Sequence, residues 1–125
     1  MRASFALAVA SLALLSSGCG SSRPSADDRR GAQVLASSFC LTCHTYAGVG
    51  TRKPGAPDLT REGDRDRGEE WQVRHLRNPQ SVVPGSRMPA IRGLTPGDLD
   101  LLVAFLERSH GQWKSGDLWL GTGVS

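Results

Sequence analysis

Apolar residues fall into three patterns along the chain. The first is a near-continuous run over residues 3–15, broken only by Ser4 and Ser11, preceded by Arg2 and followed by Ser16-Ser17-Gly18-Cys19. A basic start, an apolar segment and small residues at a cut site form an export signal, so residues 1–18 are expected to be removed. The run is also too short to span a bilayer, which takes roughly 20 apolar residues.

The second pattern has helical spacing. Over residues 27–39, Asp27 and Asp28 open a helix, Val34 and Leu35 are apolar, and Phe39 stands four after Leu35, which predicts a shared face. A second helix is predicted over residues 68–77, with Trp71 and His75 four apart, stopping at Asn78-Pro79. The third is the clearest. Thr95 is placed to cap it, Pro96 takes its first position, and Leu99, Leu102, Val103 and Leu106 make its stripe. Phe105 falls near the edge of that stripe, and the helix is predicted to end near His110-Gly111.

The remaining segments show no period. Residues 48–57 hold three Gly and two Pro, and residues 83–89 contain Pro84-Gly85 and Met88-Pro89, so both are read as loops. Residues 112–125 place Trp113 and Trp119 among Gly and Ser and receive no assignment. Strand-like alternation and internal repeats are absent. The prediction is one all-α domain over residues 27–110, a flexible tether over residues 19–26, and a C-terminal tail over residues 111–125.

Composition changes this picture little. The 125 residues carry a formal charge of +3, and loss of Arg2 with the leader lowers it by one. Within residues 61–70, Arg alternates with Asp and Glu, which reads as a solvated surface segment and not as a nucleic-acid patch. Cysteine count matters more. An exported chain holding Cys19, Cys40 and Cys43 has an odd thiol in an oxidising compartment. Leu15-Ser16-Ser17-Gly18-Cys19 resembles the lipobox of bacterial lipoproteins, although Leu stands one place further back than that pattern favours. Acylation of Cys19 would leave an even pair and anchor the chain to a membrane.

Candidate chemistry centres on Cys40-Leu41-Thr42-Cys43-His44. Two thiols three positions apart on a helical turn reach the two vinyl groups of a porphyrin, and the His that follows is held under the iron as proximal ligand. A redox dithiol would instead expect a preceding strand. A zinc centre would need two more ligands, for which only the distant His75 and His110 remain. A low-spin haem needs a sixth ligand, and Met88 is preferred to His75 or His110 because Pro89 holds Met88 in extended loop backbone. A proximal His also needs a partner for its second ring nitrogen, commonly a loop carbonyl.

These residues resemble class I cytochrome c in five blocks: Gly31-Ala32-Gln33-Val34-Leu35, the Cys40 to His44 pentapeptide, Ala56-Pro57-Asp58-Leu59, Arg87-Met88-Pro89, and Leu102-Val103-Ala104-Phe105-Leu106. The resemblance implies a cytochrome c fold of three to five helices around one covalent haem c. It implies that the Pro57 carbonyl accepts from His44, that Met88 is the distal ligand, and that the first and last helices cross closely at Gly31. Trp71, His75-Leu76-Arg77-Asn78-Pro79 and Val83-Pro84-Gly85-Ser86-Arg87-Met88-Pro89 are similar more narrowly to the cytochrome c subunits of haem-copper oxidases and nitric oxide reductase. The implied activity is single-electron transfer between redox protein partners at the periplasmic face of a bacterial membrane, with no bond-making on a substrate. Two other readings stand beside it: a haem-based ligand sensor with a labile Met88, and a fixed electron-relay subunit of a larger complex.

Overall fold

The computed structural model describes residues 23–120. The leader and the first half of the tether, Cys19 included, therefore lie outside the described residues. Three helices dominate: α1 (Ala26–Ser37), α2 (Glu69–Arg77) and α3 (Pro96–Glu107). Short 3-10 turns cover Cys40–Thr42, Glu62–Arg65 and Pro79–Ser81. A minimal antiparallel hairpin, β1 (Thr45–Tyr46) and β2 (Val49–Gly50), sits between α1 and α2.

Local chemistry sets the helix starts. Ser25 caps α1: its Oγ accepts from Asp28 N at 3.1 Å, while the Asp28 carboxylate accepts from Ser25 N at 2.9 Å. The buried Asp28 also receives Arg108 Nε at 2.8 Å and Nη2 at 2.6 Å, which ties the start of α1 to the end of α3. Burial alone would push the Asp28 carboxyl up, but the Ser25 hydrogen bonds and the Arg108 guanidinium outweigh it and hold it below the usual carboxylate range. At α3 the predicted cap is in place, with Asp98 N donating to Thr95 Oγ1 at 3.1 Å and Pro96 opening the helix.

Three features depart from the periodicity. Helix α1 stops at Ser37, and Phe39 takes a left-handed φ of 63° with 77% of its surface exposed, so it does not share the face of Leu35. The chain reverses there to enter the turn that carries Cys40. The hairpin was hidden because two-residue strands are too short to alternate. Its connection, Ala47 (φ 47°) and Gly48 (φ 80°), supplies the two positive φ values of a primed turn without the usual Asn-Gly signal. Phe105, expected at the stripe edge, is fully buried, because α3 is covered on further sides by Tyr46 (ring centroids 5.0 Å apart) and Trp113 (5.4 Å, stacked).

The core forms where α1 crosses α3. At Gly31 a Cβ would stand 2.5 Å from Phe105 Cβ and 2.6 Å from the Leu101 carbonyl oxygen, so this spacing admits only glycine. Around the crossing lie Ala32, Leu35, Leu102, Leu106 and Tyr46, all buried. Tyr46 O–H donates to Ser109 Oγ at 2.7 Å, and Ser109 in turn donates to Phe105 O at 2.8 Å. Burial pushes the Tyr46 hydroxyl up to about 12, which keeps it a donor at ordinary pH. Beyond α3, Trp113, Leu118 and Leu120 are buried against the same core, so the packed unit continues past residue 110.

Candidate functional site

The turn after α1 is held by short-range bonds. Thr42 N and Oγ1 both donate to Phe39 O, at 3.1 and 2.7 Å, while Cys43 N and His44 N both donate to Cys40 O, at 3.2 and 2.9 Å. Lys53 N closes the loop by donating to Cys43 O at 2.8 Å. This winding places Cys40, Cys43 and His44 on the wall of one cavity of about 880 Å³. A helix precedes the cysteines, not the strand that a redox dithiol expects, and burial pushes the Cys40 thiol up to about 11. Reactive dithiols are tuned in the opposite direction.

His44 Nδ1 lies 2.8 Å from the Pro57 carbonyl oxygen. A carbonyl can only accept, so Nδ1 carries the proton and Nε2 keeps its lone pair. The loop that presents this carbonyl is stapled to the hairpin. Leu59 N donates to Thr45 O at 2.8 Å, Ala47 N to Thr60 Oγ1 at 2.8 Å, and Thr60 N to Asp58 Oδ1 at 2.9 Å. Thr45 Oγ1 donates to the other Asp58 oxygen. Burial would raise the Asp58 carboxyl, but the bonds from Thr45 and Thr60 and the charge of Arg52 hold it low, so it stays an acceptor for the staple.

Met88 lines the same cavity, half-buried, from the loop after α2. Its backbone is fixed on both sides: Met88 N donates to Ser86 Oγ at 3.2 Å and Gln80 Nε2 donates to Met88 O at 3.2 Å. Ile91 N then donates to Leu76 O at 2.8 Å, returning the loop to α2. Leu35, Leu59, Leu76, Leu102 and Leu106 supply the apolar wall. Close-packed interiors hold few voids larger than a water molecule, whereas cofactor sites run to roughly 300–1,000 Å³. The cavity thus has the size of a cofactor site. Its two thiols, an imidazole with a free Nε2, a thioether and a leucine wall fit an iron porphyrin attached through two thioethers.

Another part of the wall was not read from sequence. Glu62, Arg65, Arg67, Trp71, Gln72 and His75 also line the cavity, although residues 61–70 read as a solvated surface. Glu62 is 4% exposed. Its carboxylate stands 3.1 Å from Arg65 Nε and 3.7 Å from Arg67 Nε, and takes a bond from Gln72 Nε2 at 3.3 Å. The i,i+3 pairing of Glu62 with Arg65 is the sequence signal that marks this turn. Trp71 and His75 share a face as predicted, their rings stacked at 4.5 Å. His110, by contrast, lies outside the cavity, with Nδ1 2.7 Å from Asp64 Oδ1 on the surface.

Comparison with known proteins gives the family. Residues 28–107 match the family described as cytochrome c oxidase, mono-heme subunit/FixO. The chain is also 31% identical over 84 residues to cytochrome c oxidase subunit 2 of Alkalihalophilus pseudofirmus, an alignment covering 62% of this chain and 24% of that protein. It therefore spans about a quarter of that relative's length. No solved structure matches the chain. Because the family match runs from the first turn of α1 to the end of α3 and encloses every cavity-lining residue named above, this chain belongs to the FixO family of mono-heme cytochrome c oxidase subunits.

Proposed function

We propose that the chain is a single-electron carrier in which Cys40 and Cys43 tether one haem c through thioethers while His44 and Met88 ligate its iron. One observation carries this reading: the 2.8 Å contact of His44 Nδ1 with the Pro57 carbonyl, which leaves the Nε2 lone pair free for a metal in a cavity that both thiols and Met88 also line. Haem in such a site supplies a one-electron iron couple. The protein's residues do the rest. Pro57 fixes the imidazole tautomer, the Asp58 staple keeps that carbonyl in place, and the leucine wall excludes water from the iron. Thioether ligation by Met88 raises the potential. A potential-controlled optical spectrum of the purified protein tests the reading; the expected result is one reversible one-electron transition with low-spin c-type bands.

Met88→Ala is expected to keep the covalent haem but change its axial spectrum and lower its potential. The drop should be a fraction of the ~0.8 V range that axial ligands span. An unaltered potential would assign the sixth position to another side chain.

Redox proteins are the proposed partners, as electron donor and acceptor at the periplasmic face of a bacterial membrane. Relay within an oxidase complex is one setting that the family resemblance supports. No helix among the described residues is long and apolar enough to cross a membrane. Cys19, outside those residues, is the proposed point of attachment through a lipid, on the strength of the lipobox-like Leu15 to Cys19 segment. Cys19→Ser should move the protein from the membrane fraction to the soluble fraction, and unchanged membrane retention would rule this anchor out.

A further inference from the structure

Helix α2 ends at Arg77, and the 3-10 turn Pro79–Ser81 follows, with Pro79 fully buried. This turn is a fixed base beside the loop of residues 83–91, which has no helix or strand of its own. Gln80, exposed on the turn, reaches across: its Nε2 donates to Ser86 O at 2.9 Å and to Met88 O at 3.2 Å. Both partners are carbonyls, which only accept, so the amide must turn its two N–H groups toward the loop. Within the loop, Ser86 N donates to Val83 O at 3.0 Å and Met88 N to Ser86 Oγ at 3.2 Å, and at its far end Ile91 N donates to Leu76 O at 2.8 Å. Among the described residues, no other side chain outside the loop hydrogen-bonds to residues 84–90.

We infer that Gln80 is a positioning residue for electron transfer: it clamps this loop so that Met88 stays on the iron and no external ligand takes its place. This rests on the proposed haem site and extends it. The two peptide planes that meet at the Met88 Cα are both held, one through Met88 N by Ser86 Oγ and the other through Met88 O by Gln80. With both planes fixed, the direction of the Cα–Cβ bond is fixed, and the thioether keeps only its own side-chain torsions. Ser86 is secured by the same amide, whose other bond goes to the Ser86 carbonyl. One side chain therefore holds Met88 directly and also holds the residue that caps its N–H. Pro89 has no N–H, so the backbone just after Met88 offers no substitute donor. Both Gln80 bonds face solvent, where a hydrogen bond contributes a small net stabilisation, so the clamp sets how often the loop opens, not whether the domain folds.

The test titrates the reduced holoprotein with carbon monoxide, which binds only where Met88 has left the iron, so its apparent affinity scales with the fraction of open loop. Gln80→Ala removes both donors and should bind about tenfold more tightly than wild type, the factor expected from losing two solvent-facing hydrogen bonds. Gln80→Glu keeps the shape but turns acceptor oxygens on two carbonyls, and should bind more tightly still. Gln80→Arg restores donors on a planar fork and should return most of the way to wild type. The red charge-transfer band that reports a thioether on ferric iron should weaken from Gln80→Arg through Gln80→Ala to Gln80→Glu, with covalent haem content unchanged. Wild-type affinity in both Gln80→Ala and Gln80→Glu overturns this inference and leaves Met88 ligation standing. So does a Gln80→Arg protein that binds carbon monoxide as tightly as Gln80→Ala, since the donors would then be irrelevant. A wild-type protein without the charge-transfer band overturns both.

Discussion

A Cys40→Ala/Cys43→Ala variant is expected to be colourless, negative for haem staining after denaturing electrophoresis, and largely unfolded. The first two results follow from the loss of both thioether positions. The third follows from the cavity. Its 880 Å³ is walled in part by Leu35, Leu59, Leu76, Leu102 and Leu106, which also belong to the core these helices make. Apolar wall left without the cofactor meets water or a void, and either costs stability. Domains are stable by only about 5–15 kcal/mol in total. The cofactor is thus expected to act as core, and circular dichroism should show most of the helical signal lost. Single variants should be intermediate, since one thioether and His44 can still retain some haem. Covalent haem in the double variant would defeat the attachment claim, and a haem-free protein melting at the wild-type temperature would defeat the claim that the cofactor acts as core.

How much of this was legible in the sequence depended on how local each feature's cause is. The start of α3 was readable because its cap and partner lie within four residues, Thr95 with Asp98, and that of α1 from the acidic pair Asp27-Asp28, although its cap, Ser25, fell in the segment read as tether. The attachment pentapeptide was readable for the same reason: five consecutive residues carry its chemistry. Trp71 and His75 were correctly placed on one face, but that this face lines the cavity depends on the other elements that build its wall. Glu62 looked solvated because an alternating charge run normally is. It turns inward here since Gly63 N donates to Ser109 O at 2.8 Å and Gly111 N to Thr60 O at 3.0 Å, pinning this segment against the chain after α3, while Arg65 beside it stays exposed. Trp113 was illegible too. Its stacking on Phe105 is a tertiary event in a segment with no period of its own.

Gly31 offers the sharpest test of the packing that supports the site. On helix propensity alone, Gly31→Ala should stabilise α1 by up to about 1 kcal/mol, since glycine is the poorer helix former. The crossing reverses that sign. The added methyl would stand 2.5 Å from Phe105 Cβ and 2.6 Å from the Leu101 carbonyl oxygen, and neither can swing away, one being the root of a fully buried ring and the other backbone. Helices α1 and α3 must separate, and overpacking of this kind costs about 1–3 kcal/mol. With about 4–8 °C per kcal/mol for a domain of this size, the holoprotein should melt roughly 5–10 °C lower, and Gly31→Leu lower still. Gly97 is the control. It lies in α3 with nothing within 4 Å of its added Cβ, so Gly97→Ala should be neutral or slightly stabilising. The two substitutions remove the same kind of residue from helices of equal length, Gly31 from mid-helix and Gly97 from the first turn, and the close neighbour at Gly31 sets the opposite sign. If Gly31→Ala melts at or above wild type, the close crossing is not what positions Leu35 of α1 against Leu102 and Leu106 of α3, and the cavity wall must draw its rigidity from the cofactor itself.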